Sequence, residues 1–289
     1  MRRKLAWGLA LIAAAARAAL TVKTVRYAGT DAAQVMDVYT QGTGRSEPWV
    51  MILHGGGWAA GGKSQMVNAS KKFAGQGYRV FNVEYRKVPG VAWASQLGDV
   101  NAALAYIHHH GTQFGINPDR GVMYGFSAGG QLAMSSGLST TWIRGVISVS
   151  GVLQPQRVEA VADSDSTVGY GGDLPSQSIR TLSRWQAVAM GCPYITWMPE
   201  CNARWNAFMP ERRLSKGDPP LLLFQGSADI TVPRGTLRGF RDRARRTIPD
   251  VTAWEKAGGP HNEVVAFDGG AHERMMYTWL ATKTRPSTA

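Results

Sequence analysis

One heptapeptide constrains the fold more than any other stretch: Tyr124-Gly125-Phe126-Ser127-Ala128-Gly129-Gly130. The apolar residues 121–124 ahead of it read as a strand, and residues 131–134 after it as the start of a helix. Passing from strand to helix in so few residues demands a sharp turn with Ser127 at its apex. Glycines stand two residues to either side because the backbone there approaches itself too closely for a β-carbon. Such a turn lifts the Ser127 hydroxyl off the sheet. It also leaves the Ala128 N–H at a helix N-terminus, aimed at the same place. The pattern is that of a nucleophilic serine; the alternative is a structural turn whose serine caps the helix.

Around this turn the chain alternates strand and helix. Residues 21–29 and 34–40 alternate apolar with polar, as half-exposed antiparallel strands do. The run 48–54 is continuously apolar, which suits a strand buried on both faces; 79–85 reads as another buried strand, and 144–150, 220–224 and 251–255 as further strands. Helices are expected from Ser64 to about residue 75, from Ser95 to about residue 109 on Leu97, Val100, Leu104 and Ile107, at 233–246, and at 271–282. The reading is an α/β fold with a mostly parallel central sheet flanked by helices. From about residue 151 to 218 the rhythm gives way to tryptophan, proline, glycine and serine, and this stretch is expected to be a cap-like insertion.

A serine hydroxyl needs a base within hydrogen-bond reach, and that base needs a carboxylate to fix its tautomer. Asp229 follows the strand at 220–224 in Gln225-Gly226-Ser227-Ala228-Asp229. His261 follows the next strand in Ala257-Gly258-Gly259-Pro260-His261. Both fall at carboxyl ends of parallel strands, where such folds assemble sites. His272 is the rival base, but it falls where the last helix begins. Asp250 and Asp268 are turn-type acids, and Asp242 lies on a basic helix. His108-His109-His110 reads as the end of a helix, since consecutive helical side chains do not share a face; no metal and no cofactor is expected.

His54-Gly55-Gly56-Gly57-Trp58 supplies backbone N–H groups that can face a developing oxyanion without side-chain obstruction. Gly56, Gly57 and Ala128 are the expected donors, with His54 buttressing the loop and Trp58 and Phe126 lining the substrate pocket. The same region satisfies a phosphate-binding pattern, Gly57-Trp58-Ala59-Ala60-Gly61-Gly62-Lys63-Ser64, in which Lys63 would reach a phosphate and Ser64 a magnesium ion. No apolar strand ending in the aspartate that such proteins use for the metal accompanies it. Ser64 reads more simply as the N-cap of the next helix.

A net charge of +12 over 289 residues is scattered, with four basic residues in the first 17 positions. The later cluster Arg238, Arg241, Arg243, Arg245 and Arg246 reads as the solvated side of a helix. Without aromatic interleaving it points to no nucleic-acid partner. Residues 1–18 combine a positive start, an apolar run and a small-x-small site at Ala16-Arg17-Ala18. That is the pattern of a secretory signal cleaved after Ala18. The run is short for a bilayer, so no stable membrane insertion is expected after cleavage, and the location is secreted or periplasmic. Cys192 and Cys201 could then pair, closing a loop worth about 2–3 kcal/mol; two free buried thiols are the alternative.

Taken together, the chain resembles the α/β-hydrolase superfamily. Within it, the chain is similar to the carboxylesterase group with an H-G-G-G-W oxyanion loop and a G-x-S-A-G-G elbow, which includes feruloyl and acetylxylan esterases and arylformamidases. The likeness runs through residues 54–58, Glu84-Tyr85-Arg86, 96–99, 115–119, 125–130, 226–229 and His261. It departs at Phe126, where polar residues are common, and at Gly259-Pro260-His261-Asn262. The resemblance implies a triad of Ser127, Asp229 and His261 acting without cofactor on short-chain or aromatic carboxylic esters, small or polymer-linked. A peptidase or arylformamidase of the same fold, a non-catalytic binding protein and a nucleotide hydrolase are the competing readings.

Overall fold

Successive side chains of a strand point to opposite faces, and consecutive residues of the central strands are apolar, as in 49–53 and 221–224, so the sheet must be covered twice. The computed structural model describes residues 19–42, 44–138, 140–164, 173, 176–194 and 198–285; the expected signal at 1–18 lies outside the described residues. Eight strands form one sheet in the order β1-β2-β4-β3-β5-β6-β7-β8. β1 (Thr21–Arg26) and β2 (Val35–Thr40) are antiparallel, as are β2 and β4 (Arg79–Val83). From β4 onward the neighbours β3 (Glu47–Leu53), β5 (Ile116–Phe126), β6 (Ile143–Val149), β7 (Leu221–Gly226) and β8 (Val251–Lys256) are all parallel.

The two faces build two cores. Trp49, Met51 and Leu53 of β3 pack with α2 (Trp93–His109), the single turn α3 (Gly111–Phe114) and α4 (Ala128–Gly137). Val50 and Ile52 pack on the opposite face with α1 (Val67–Gly75). β7 divides the same way, Leu221 and Leu223 against Leu222 and Phe224. Between β6 and β7 lie α5 (Pro155–Ala162), α6 (Gln177–Met190) and α7 (Pro199–Phe208), all on the first face. α8 (Gly235–Ala244) joins them there, and α9 (Ala271–Thr284) lies on the second face beside α1. Cys192 and Cys201 are joined, Cα atoms 6.1 Å apart, tying the end of α6 to the first turn of α7.

Two local expectations are corrected. Ser64 caps nothing: it lies inside a 3-10 turn, Lys63–Met66, whose N-cap is Gly62, and α1 begins only at Val67. The phosphate-loop reading fails at Lys63. Its ammonium lies 2.6 Å from Asp37 Oδ2 on β2, and its amide donates to Glu84 Oε2 at 2.8 Å. A lysine committed to a carboxylate on the sheet cannot reach for a phosphate.

The basic helix α8 is solvated, with Arg238 paired to Glu255 and Arg241 to Asp242 at 2.6 and 2.7 Å. Exposed pairs of this kind contribute about 0–1 kcal/mol each. Among the described residues, no three His, Cys, Asp or Glu side chains are grouped to hold a metal, and no helix is long and apolar enough to cross a membrane.

Candidate active site

Ser127 leaves β5 and opens α4 with φ 56° and ψ −121°. An L side chain occupies that region only under strain, of order 1–3 kcal/mol, so the surroundings must enforce it. They do. A β-carbon at Gly125 would overlap the Gly129 carbonyl, and one at Gly129 would strike the carbonyls of Leu53 and His54. The Ser127 amide donates to Val149 O at 2.9 Å, fixing the apex to β6.

Asp229 stands in the turn after β7 with its side chain wholly buried. Its Oδ1 accepts the amides of Thr231 and Val232 at 2.9 and 2.8 Å. Its Oδ2 accepts Gln225 Nε2 at 2.8 Å and His261 Nδ1 at 2.7 Å. Four donors around two oxygens are the partners of an ionised carboxylate, so the proton on His261 Nδ1 is the one given to Asp229. That leaves the Nε2 lone pair for Ser127, whose Oγ lies 3.0 Å away. The two loops are locked together by Ala228 N donating to Gly259 O at 2.9 Å. His272 stands apart in the first turn of α9, with Nδ1 2.8 Å from Asp268 Oδ2. Burial opposes charge on Asp268, but hydrogen bonds from Lys256, His272 and two backbone amides hold it well below the usual carboxylate range.

Gly56 and Gly57 have φ of 117° and 57°, which glycine alone adopts without strain. Neither amide donates to another protein group among the described residues. The Ala128 amide, first in α4, has no intrahelical acceptor. Beneath the loop, His54 Nδ1 donates to Gly55 O at 2.7 Å and the ring stacks on Tyr85 at 4.2 Å. The Tyr85 hydroxyl donates to His54 O at 2.8 Å, and His54 Nε2 lies 3.3 Å from Glu84 Oε1. Burial would raise the Glu84 carboxyl, yet His54, Lys87 and the Lys63 amide outweigh it and hold the group at about 2. His54 therefore buttresses the loop through an ionised neighbour.

Trp58 does not wall the pocket. It is fully buried, packs on Phe208 at 4.9 Å and donates its Nε1 to Gln131 Oε1 at 3.1 Å. Gln131 also accepts Trp93 Nε1 at 3.1 Å and donates to Phe208 O at 2.7 Å, so it joins the glycine loop to α2 and α7. Phe126 does line the pocket, its ring 5.0 Å from that of His261.

The pocket is a cavity of about 390 Å³ on which Ser127, His261, Gly56, Gly57 and Thr231 open. Its opposite wall is α6, through Gln177, Ser178, Thr181, Leu182 and Trp185. The sequence reading missed these residues. The spacing of Ile179, Leu182, Gln186 and Ala189 could have found the helix, but not what it lies over. α6 is held by Glu159 of α5, which accepts Ser183 Oγ at 2.6 Å and Gln186 Nε2 at 3.0 Å.

Burial pushes Glu159 up to about 7, against the Ser183 hydrogen bond. Burial likewise raises Glu263, two residues past His261, to about 7 against the bond from the Tyr124 hydroxyl. Both values are raised on folding, so the stabilisation is complete below the unfolded value near 4.5 and is lost as pH rises through 7. The loss should be about 2–3 kcal/mol per group. Thermal melts at pH 5 and pH 8 should therefore show the protein less stable at pH 8. Glu159→Gln and Glu263→Gln should each reduce that difference; a difference unchanged in both would contradict the assignment.

Known proteins resemble this chain in sequence and in fold. Esterase LipC of Mycobacterium tuberculosis (strain ATCC 25618 / H37Rv) is 26% identical over 250 residues, 83% of this chain and 59% of its own length. The probable carboxylic ester hydrolase LipM of the same strain is 25% identical over 240 residues, 82% of this chain and 53% of its own. The chain thus spans somewhat over half the length of these curated relatives. Among solved structures, native Est2, a thermophilic esterase of Thermogutta terrifontis, matches with a TM-score of 0.70 at 19% identity, over 93% of this chain and 95% of that one. A truncated carbohydrate esterase from gut microbiota matches at 0.74 and 20% identity, over 93% and 97%. These likenesses establish the α/β-hydrolase fold. The BD-FAE family model matches residues 36–240, a span that runs from β2 into α8 and carries the glycine loop, Ser127 and Asp229, and the chain belongs to the BD-FAE family.

Proposed function

We propose that the protein is a serine carboxylesterase that hydrolyses short-chain or aromatic carboxylic esters through an acyl-enzyme. One observation carries the reading. A continuous hydrogen-bonded line runs from Asp229 through His261 to Ser127, and it ends in a cavity flanked by Gly56 and Gly57, whose amides donate to no other described group. In this reading His261 Nε2 takes the Ser127 proton as Oγ attacks the ester carbonyl, and the Asp229 carboxylate stabilises the imidazolium that forms. Gly56, Gly57 and Ala128 receive the oxyanion, each such donor being worth about 3–4 kcal/mol in the transition state. His261 then protonates the departing alkoxide, and water, deprotonated by the same nitrogen, releases the acid. The cavity volume and its apolar wall of Phe126, Leu182 and Trp185 suit a small or single-ring acyl group. The reading includes export, supported by the pattern of residues 1–18 and by the Cys192–Cys201 bridge.

Partitioning tests the acyl-enzyme. Acetate esters with different phenolic leaving groups, hydrolysed in the presence of methanol, should give one common ratio of methyl acetate to acetate. A ratio that changes with the leaving group would mean that water attacks the ester directly.

A further inference from the structure

Helix α6 carries two lines of apolar contact. Ile179, Leu182, Ala189 and Met190 face the core. Thr181, Trp185 and Val188, spaced i, i+4 and i+7, form a second line on the outer face, with Trp185 36% and Val188 42% exposed. A tryptophan and a valine aligned in water call for an apolar neighbour that the described residues do not supply.

The hollows beside that line are neighbours that share walls. The cavity at Ser127 shares Thr181 and Trp185 with a shallow groove of about 270 Å³, whose other walls are Arg184 and Val188. The groove in turn shares Val188 with a basin of about 500 Å³ floored by Val91, Trp93, Met190 and Ala207. Leu182 and Trp185 lie closest to Gly57, so the near end of the line begins at the glycine loop itself.

We propose that the outer face of α6 is a chain-binding track, along which a long apolar chain on the alcohol side of the ester runs from Ser127 past Trp185 and Val188 toward the basin by Trp93 and Ala207. The proposal rests on the esterase reading and names the substrate class it serves. Adjacency to the cavity selects the occupant: the cavity takes the small acyl group, so a chain on the alcohol side of the reacting ester is the part that extends over the shared wall of Thr181 and Trp185. From Thr181 to Met190 the helix rises about 13 Å at 1.5 Å per residue. An extended chain at ~1.3 Å per bond covers that distance in about ten bonds.

The test is kcat/KM below the critical micelle concentration for two series, p-nitrophenyl esters from acetyl to dodecanoyl and acetates from ethyl to dodecyl. The alkyl acetate series should rise with length to about ten carbons, by roughly two- to fourfold per methylene, while the acyl series should not. Val188→Asp and Ala207→Trp, both at exposed positions, should each lower the decyl-to-ethyl ratio by about tenfold or more. Flat or falling values beyond four carbons in the alkyl acetate series, or a ratio unchanged in both variants, would overturn the track. Absence of hydrolysis for every ester would overturn the esterase reading, and the track with it.

Discussion

Ser127→Ala is expected to lower kcat on p-nitrophenyl acetate by about 10⁴- to 10⁶-fold while leaving the fold unchanged. The side chain is 4% exposed and its Oγ bonds His261 alone among the described groups, so little packing depends on the hydroxyl. The loss should appear in kcat and kcat/KM together, since the bond to the carbonyl exists only after the ground state. Retained turnover at the original rate would remove the mechanism. The same position offers a stability test. Alanine keeps the β-carbon at φ 56°, whereas glycine has none. Ser127→Gly should therefore melt a few degrees above Ser127→Ala despite glycine's greater unfolded-state entropy, because relief of about 1–3 kcal/mol exceeds the usual 0.5–1 kcal/mol penalty. Equal or inverted melting temperatures would show that the turn is not strained.

His261→Ala should cost a comparable 10⁴-fold or more, and His272→Ala no more than a few-fold. The contrast follows from placement. His261 stands between a hydroxyl at 3.0 Å and a buried carboxylate at 2.7 Å, whereas His272 bonds Asp268 within its own helix turn. Asp229→Asn should lose about 10⁴-fold, because an amide at Oδ2 would present a donor to Nδ1 and turn the imidazole to the wrong tautomer. Steady-state assays on the three purified variants check this. A large loss from His272→Ala with His261→Ala active would reassign the base.

Much of this was legible because it is local. The turn at Ser127 follows from steric necessity at Gly125 and Gly129, and both glycines sit where a β-carbon has no room. The parallel strands were readable from continuous apolar runs, and Asp229 and His261 from their places just beyond two of them. Trp58 was misread for a reason that sequence does not carry. Adjacency to the glycine loop says nothing about which side of it a ring takes, and here φ is 63° and the ring turns inward to Gln131 and Phe208. Ser64 matched a capping pattern, but Gly62 and Lys63 are already committed to the turn beside Glu84. The wall formed by α6 could not be placed from sequence, since its position over Gly57 depends on Glu159 gripping Ser183 and Gln186 from another helix. Local geometry was written in the residues, and long-range placement was not.

Covalent labelling tests the central claim most directly. Treated with a fluorophosphonate and digested, the protein should yield one peptide carrying a single adduct on Ser127, formed in step with the loss of ester hydrolysis. Complete loss of activity with the adduct on another residue, or full activity after Ser127 is labelled, would contradict the account.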